Sequence, residues 1–354
     1  MHVYGDHLMK KTDYLVSINQ NGFTLIELMV ALVLGLIVSA AALQIFYTSS
    51  VNNNRQQAGS QIQDNAVFGI DDFSKHLRRA NYGANSNTVS GFYLNHLTPQ
   101  GGIVLTRPLG KNKTTGTPPV TTTTWAESNL YGLKKGTDKL PDTILSANES
   151  GNSASNIKDI DNSDQLTIQY QAYQDDMFSC DGEEIDKGDY VIERYFVRTD
   201  TSITPNKNGL ACASLIYTYD ETLANTTGID VSADIAGLTG NGMIVIPNVD
   251  YFRVLLGTTA QNDFATDPTN LALIYQPIPS DPTSLAGQRI VSVQVGLLVH
   301  SDTATASQQA NSSLRFNILD RRGQQLNTTA ANDRQYLRNV YETTTLIRNA
   351  RGKP

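Results

Sequence analysis

One carboxylate, that of Glu27, stands at the start of an apolar run from Gly22 to Phe46 that contains no other charged residue. The part from Leu28 to Tyr47 spans about 20 residues and, as a helix, about 30 Å, which matches the hydrocarbon core of a bilayer. An ionisable group beside a membrane segment is costly and usually has a specific partner. The chemistry that Glu27 offers is therefore an ion pair with a cation. The alternative is a solvated carboxylate at a helix end.

Patterns typical of covalent or metal chemistry do not occur in this sequence. The five histidines show no paired zinc-binding spacing, and they are His2, His7, His76, His96 and His300. The segment Gly151–Ser155 lacks the final glycine of a nucleophile elbow. One acidic cluster comprises Asp175, Asp176, Asp181, Glu183, Glu184, Asp186 and Asp189. Its spacing differs from an EF-hand loop, which leaves a calcium site and a solvated acidic turn as alternatives. We expect no enzymatic activity, no cofactor and no metal centre.

The charge balance argues against one class of partner. The 354 residues include 27 basic and 34 acidic side chains, with a formal net charge of -7. Because sequence-independent nucleic-acid binding needs a basic surface, we expect no direct contact with nucleic acid.

The apolar run continues into a longer helical pattern. Apolar or small residues recur at spacings of three and four, and they are Ala58, Ile62, Ala66, Gly69, Ile70, Phe73, Leu77 and Ala80. This spacing places them on one helical face, away from the charged residues Asp64, Asp71, Asp72, Lys75, Arg78 and Arg79. Asn81 and Gly83 mark the end of the helix. We predict a helix over 23–82, with 28–47 crossing the membrane and the remainder packing on a globular head.

The residues around the start of this helix resemble a known processing site. The string from Gly22 to Leu28, GFTLIEL, follows a polar segment and is similar to the cleavage site of type IV prepilins and type II secretion pseudopilins. The resemblance implies cleavage after Gly22 by the prepilin peptidase and N-methylation of Phe23. The new amine would lie about 6 Å along the helix from Glu27, and staggered helices would bring it to Glu27 of a neighbouring subunit. A secretory signal cleaved near Ser39–Ala42 is the alternative.

Two further stretches resemble the PilW family of minor pilins. The first runs from Asp64 to Ala84, and its matching residues are Asn65, Phe68, Asp71, Phe73, Leu77, Arg78 and Tyr82. The second comprises the closing strands, 289–300 and 336–349, in which His300 stands where the family pattern has arginine. We expect Leu337, Val340 and Leu346 to face the sheet and Arg338 and Arg348 to face water.

The remainder of the chain predicts an α+β fold, in which the long helix packs on an antiparallel β-sheet head over 165–354. Residues 1–22 would be the leader, and residues 83–164 a loop-rich insertion with a threonine-rich stretch, either passive or in contact with a neighbour. Predicted strands are Gln165–Tyr173, Tyr190–Arg198, Ser214–Tyr219, Met243–Ile246, Asp250–Leu256, Arg289–His300, Leu314–Leu319 and Tyr336–Ile347. The second and third would form a hairpin with a long connection.

Two cysteines, Cys180 and Cys212, lie in the expected exported head. An oxidising compartment favours a disulfide between them, and two buried free thiols are the alternative.

The resemblance implies a minor pilin subunit that takes part in type IV pilus assembly and priming. It would be a single-pass inner-membrane protein with a periplasmic head, and after assembly it would be part of the pilus fibre, or fimbrium, at the cell surface. Its partners would be other minor pilins, the major pilin, a tip adhesin, the inner membrane and, as its processing enzyme, the prepilin peptidase. Adhesion and motility would follow from the pilus. A type II secretion pseudopilin and a pilus-tip adhesin module are the alternatives.

Overall fold

The computed structural model describes residues 22–84, 94–108, 113–115, 120–122, 127–203, 206–260, 272–305, 314–327 and 336–350. The predicted leader lies outside the described residues, apart from Gly22 at its end. The chain divides into two compact units, Met1–Asn52 and Asn53–Pro354.

Helix α1 (Leu25–Arg79) is 55 residues long and provides most of the described part of the first unit. Thr24 caps its start, because its Oγ1 accepts a hydrogen bond from the Glu27 N–H at 3.3 Å. The apolar residues from Phe23 to Tyr47 are exposed, and the helix is long and apolar enough to cross a membrane. Asn81, with a φ of 68°, follows the end of the helix in the left-handed conformation, as the sequence indicates.

The second unit is built mostly from strands, with short helical turns between them. The strands before the first cysteine are β1 (Lys113–Thr115), β2 (Val120–Thr122), β3 (Leu133–Lys134), β4 (Ala154–Ile157), β5 (Ile160–Asn162), β6 (Gln165–Gln171) and β7 (Met177–Phe178). The middle strands are β8 (Glu184–Ile185), β9 (Tyr190–Asp200), β10 (Lys207–Tyr217), β11 (Ile229–Asp230), β12 (Met243–Pro247) and β13 (Val249–Ala260). The last strands are β14 (Ile274–Pro277), β15 (Gln288–Ala304), β16 (Phe316–Ile318), β17 (Arg321–Gln324) and β18 (Tyr336–Leu346). The helical turns are α2 (Glu221–Asn225), α3 (Ile235–Thr239) and the 3-10 turns Asp142–Ile144, Pro282–Leu285 and Arg348–Ala350.

Two four-stranded sheets with antiparallel neighbours form the head. The first sheet has the order β12-β10-β9-β6, and the second sheet has the order β14-β13-β15-β18. The α+β fold is therefore confirmed. The hairpin of β9 and β10 is also confirmed, but β10 begins at Lys207, seven residues before the predicted start at Ser214, so the connection is shorter than predicted. The small residues at the start of β10 have weak strand propensity, and pairing with β9 overrides it.

The head-packed part of α1 buries the predicted stripe between the two sheets. Ala58, Ile62, Ala66, Phe73, Leu77 and Ala80 are buried, and Ile70 packs against the same core. The Phe73 ring contacts Tyr195 of the first sheet at 4.7 Å and Phe252 of the second sheet at 6.3 Å, both edge-on. Gly69 permits a close approach, because a Cβ there would lie 2.5 Å from Cγ1 of Ile246. One helix face thus joins both sheets in one core.

The described parts of the predicted loop-rich insertion at 83–164 contribute to the core of the head. Val104, Leu130 and Leu133 are fully or almost fully buried, and they share a core cluster with Ile192 and Leu215 of the first sheet. This cluster covers the face of the sheet that is turned away from α1. The sequence analysis did not identify these buried residues, because polar composition hid the few apolar residues that cover the sheet. The threonine-rich stretch lies partly outside the described residues.

The orientation predicted for the last strand is wrong for Leu337, Arg338 and Leu346. Leu337 is 42% and Leu346 65% exposed, whereas the Arg338 side chain is only 3% exposed. Arg338 is buried because its Nε donates to Oδ2 of Asp250 at 2.7 Å. Val340 does pack, as predicted, against a small apolar cluster of Ile157, Tyr251, Leu298 and Ile318 from other strands, and Arg348 is exposed, as also predicted.

Candidate functional site

The predicted processing site lies at the exposed start of α1. Phe23 is 83% exposed, and Glu27 is in the first helical turn. A negative charge at this position interacts favourably with the helix dipole. Among the described residues no cation pairs with Glu27 within salt-bridge distance, and a processed chain would offer the amine of Phe23. The first turns of the helix therefore present the carboxylate and the predicted cleavage point together, on an accessible apolar surface.

The buried carboxylate of Glu193 holds the second half of α1 on the head. We call Glu193 and the residues that bind it the Glu193 cluster (His76, Tyr170, Cys180, Glu193 and Tyr195). Glu193 in β9 is completely buried, and its two oxygens lie 2.9 and 3.1 Å from Nδ1 of His76 on the helix. The hydroxyls of Tyr170 and Tyr195 donate to it at 2.8 and 2.9 Å, and the Cys180 N–H donates at 2.9 Å. A buried charge requires such a complete set of donors, because an unpaired one is strongly destabilising.

The tyrosines of this cluster act as hydrogen-bond donors at every physiological pH. Burial raises the pKa of both the Tyr170 and the Tyr195 hydroxyl, and the nearby Glu193 charge raises each pKa further. Both hydroxyls therefore keep their protons and their bonds to the carboxylate. Hydrogen bonds to the Glu193 carboxylate therefore connect the helix, β6, β9 and the loop before β8.

The predicted disulfide between Cys180 and Cys212 is present, with 6.0 Å between the Cα atoms. It ties the loop after β7 to β10, and the same Cys180 contributes its N–H to Glu193. The covalent link therefore holds one donor of the cluster in place.

Two other buried ion pairs lock strands of the head together. Arg253 on β13 donates to both Asp320 oxygens at 2.8 and 2.6 Å, and it contacts Asp164 before β6 at 3.2 Å. Burial raises the pKa of the Asp164 carboxyl despite the opposing charge of Arg253. Burial of Asp320 also acts to raise its pKa, but the hydrogen bond and charge of Arg253 outweigh it, so the pKa of Asp320 is lowered.

The second pair involves His300, which stands where the sequence analysis expects arginine. His300 lies directly opposite Arg338 in the register of β15 and β18, and both side chains approach Asp250. Nε of Arg338 lies 2.7 Å from Oδ2 of Asp250, and Nε2 of His300 lies 3.9 Å from Oδ1 of Asp250. The cation that neutralises Asp250 is therefore on the neighbouring strand.

Within the described ranges no group of three or more His, Cys, Asp or Glu side chains is placed to hold a metal ion. Asp181 of the acidic cluster is engaged otherwise, because its Oδ1 accepts from the hydroxyls of Ser179 and Ser214 at 2.6 Å.

The sequence analysis proposed Gly22, Phe23 and Glu27 and predicted the disulfide of the two cysteines, but it missed His76, Glu193, Arg253 and Asp250. A carboxylate in a largely apolar stretch, as at Glu193, which with Arg194 interrupts the run from Tyr190 to Val197, is a signal that could have found the cluster. Its partner on the helix could not be found this way, because 117 positions separate His76 from Glu193.

Comparison with known proteins gives two family matches. Residues 18–43 match the prokaryotic N-terminal methylation motif, and residues 194–349 match the Type IV Pilus-assembly protein W family. No curated protein matches the chain. A solved structure, the type IV-like pilin TTHA1219 from Thermus thermophilus, is similar at 11% identity and a TM-score of 0.32, over 81% of this chain and 97% of that chain. This similarity is too weak to carry the assignment.

The two family matches agree with the geometry at both ends of the chain. The methylation motif lies on the exposed apolar start of α1, where it fits anchoring in the inner membrane and processing by a prepilin peptidase. The second match includes β10 to β18 and therefore the whole second sheet. Pilins are structural proteins that assemble with other pilins. The chain therefore combines the methylation motif at 18–43 with a domain at 194–349 that matches the Type IV Pilus-assembly protein W family, and together these two matches support a PilW-type minor pilin.

Proposed function

We propose that this protein is a minor pilin that is cleaved after Gly22, methylated at Phe23 and built into a type IV pilus, where it helps to prime assembly. The observation that carries the proposal is Glu27 within the methylation motif, on an exposed apolar helix start. Before assembly the helix anchors the chain in the inner membrane as a single pass, with the head in the periplasm. Cys180 and Cys212 support an exported head, because a disulfide persists in an oxidising compartment.

The ion pair of Glu27 gives assembly its dependence on processing. Cleavage creates a cationic amine at Phe23, and an adjacent subunit with an axial offset brings its own amine to this carboxylate. In apolar surroundings, removal of one partner of a buried pair costs roughly 3–5 kcal/mol, which is more than about a hundredfold in an equilibrium constant. A subunit without the pair would be excluded from the helical core of the filament.

The head-packed half of α1 offers a second surface for neighbouring helices. Val67 and Phe68 are 54% and 73% exposed and lie opposite the face that packs on the sheets. Large apolar side chains at adjacent exposed positions favour burial against a partner. We assign this surface to contacts with the helices of other minor pilins and the major pilin.

Intact mass of the membrane-extracted protein tests the processing step. The expected chain starts at Phe23 and is heavier by one methyl group than the unmodified mature chain. A chain that starts at Met1, or near Ala42 as a secretory signal would produce, contradicts the proposal.

Variants at Glu27 test the ion pair. Glu27→Gln keeps the size of the side chain and removes its charge, so we expect a processed, membrane-inserted protein that is absent from sheared pili. Glu27→Asp keeps the charge and serves as the matched control, with incorporation retained at least in part. Wild-type incorporation of the Gln variant would refute the pairing.

The alternatives have less support. The match to a pilus-assembly family favours a pilus over a secretion pseudopilus. An adhesin site within 83–164 cannot be tested by deleting the whole segment, because Val104 and Leu130 are part of the core of the head.

A further inference from the structure

A small basic pocket lies where α1 ends in the second unit. We call it the basic pocket, and its volume is about 350 Å³. Its lining residues are Lys75, Arg78, Arg79, Tyr82, Tyr173, Arg348 and Asn349. Three separate parts of the chain meet here, namely the last turns of α1, the residues after β6 and the 3-10 turn Arg348–Ala350. The pocket concentrates four cations on a protein whose formal net charge is -7.

Hydrogen bonds hold the two sides of the basic pocket together. The Asn81 side-chain amide donates to the Asn349 carbonyl at 2.7 Å, and its Oδ1 accepts from the Gly102 N–H at 2.9 Å. Arg79 donates to the Phe178 carbonyl at 3.2 Å. The site is therefore built before any partner arrives, which lowers the entropy that binding must overcome.

The aromatic wall of the pocket is also formed in advance. The rings of Tyr82 and Tyr173 pack edge-on with 5.9 Å between their centroids. They remain 42% and 46% exposed, so each keeps a free part of its surface for a ligand.

The cations of this pocket differ in whether a carboxylate of the same chain pairs with them. Lys75 forms an ion pair with Asp71 at 2.8 Å. Arg78 and Arg348 are exposed, and in the part of the chain that the structure describes no carboxylate lies within salt-bridge distance of either. Arg253 and Arg338 of the same head, by contrast, are each paired with aspartate. Two guanidinium groups therefore border one concave site with their charge available to an outside anion.

The chemistry of the pocket indicates which anion fits. A guanidinium binds a carboxylate through two parallel hydrogen bonds, and Arg and Tyr are the residues most enriched at energetic centres of protein interfaces. The exposed turn directly after Tyr173 carries Asp175 and Asp176, which would repel an extended polyanion lying across the site. A compact acidic side chain avoids this repulsion, whereas a nucleic-acid strand does not.

We propose that the basic pocket receives an acidic loop of a neighbouring pilin subunit, with a carboxylate of that loop bound between Arg78 and Arg348. The tyrosines pack against the backbone and stem of the same loop. The contact rests on the proposed function, since it requires that the protein assembles with other pilins. This contact would determine which subunit's head lies beside this head. The helix contacts alone cannot determine this.

Site-specific photocrosslinking of the full chain in piliated cells tests this contact. A benzophenone amino acid replaces Tyr173, and we expect an adduct whose partner peptide, identified by mass spectrometry, comes from another pilin and contains Asp or Glu. The double variant Arg78→Glu, Arg348→Glu should reduce this adduct by about tenfold or more. Arg322→Glu is the matched control, because Arg322 is an exposed arginine on β17 that does not line the pocket, and it should leave the adduct unchanged.

A charge swap separates a direct contact from a structural effect. Once the partner peptide is known, replacement of its acidic residue by arginine should restore the adduct with the Arg78→Glu, Arg348→Glu chain. An adduct that is insensitive to the double variant, one that nuclease removes, or no adduct at all would overturn the proposal. These results would leave the proposed function unaffected if the wild-type protein is still cleaved, methylated and incorporated into pili. Loss of processing or incorporation in the wild type would instead refute the proposed function.

Discussion

The hydrogen bond between His76 and Glu193 should be among the strongest single couplings between the helix and the sheets. Its atoms lie 2.9 Å apart in a buried site, with the carboxylate completely inaccessible to solvent. Hydrogen bonds to charged groups contribute about 1.5–3 kcal/mol each. We therefore expect a coupling free energy of about 1.5–3 kcal/mol in a double-mutant cycle of His76→Ala and Glu193→Gln.

The single change Glu193→Ala should be more damaging than either variant of the cycle. It leaves the Tyr170 and Tyr195 hydroxyls and the Cys180 N–H without their acceptor. Each unsatisfied buried group costs about 1–3 kcal/mol, so the free energy of unfolding should fall by at least about 3 kcal/mol.

The cycle is measured by urea denaturation of the mature protein in detergent, followed by far-ultraviolet circular dichroism. The matched control is the exposed pair of Lys75 and Asp71, 2.8 Å apart on the same helix, for which alanine variants should show no measurable coupling. A His76–Glu193 coupling below about 0.5 kcal/mol, within the usual scatter of additivity, would refute this account of how the helix is held.

Two further predictions concern packing and pH. Gly69→Ala should lower the free energy of unfolding by about 1–3 kcal/mol, because its Cβ would lie 2.5 Å from the buried Ile246; Gly59→Ala, with no atom within 4 Å of its Cβ, should instead raise it by up to about 1 kcal/mol. The same urea titration checks both, and equal effects at the two glycines would contradict the close approach. Burial acts to raise the folded-state pKa of Asp320, but the hydrogen bond and charge of Arg253 lower it overall. The stabilisation that ionised Asp320 provides is therefore present above the ordinary aspartate pKa and is lost as pH falls through the folded-state pKa. Asp320→Asn should therefore lower stability at neutral pH and flatten its decline below about pH 4, and an unchanged acid profile would count against this ion pair.

Much of the fold could be predicted from local patterns. The apolar run, the stripe from Ala58 to Ala80 and the alternation in β6 and β15 are short-range features, and they located α1 and all strands of the two sheets except β14. Where prediction failed, long-range pairing decided the outcome. Arg338 follows the polar positions of its strand and was expected in water, but Asp250, 88 positions away, holds it inside.

The sequence alone determined the helix, its membrane length and the processing motif, because each depends on residues that are neighbours along the chain. Only the tertiary structure decided that Glu193 receives His76 from 117 positions away, and that Arg348 meets Arg78 across nearly the whole head. These pairings follow from the strand order β12-β10-β9-β6 and from the path of the chain end beside α1. The physical reason is that a buried charge selects its partner by proximity in space, and no spacing along the chain encodes that proximity.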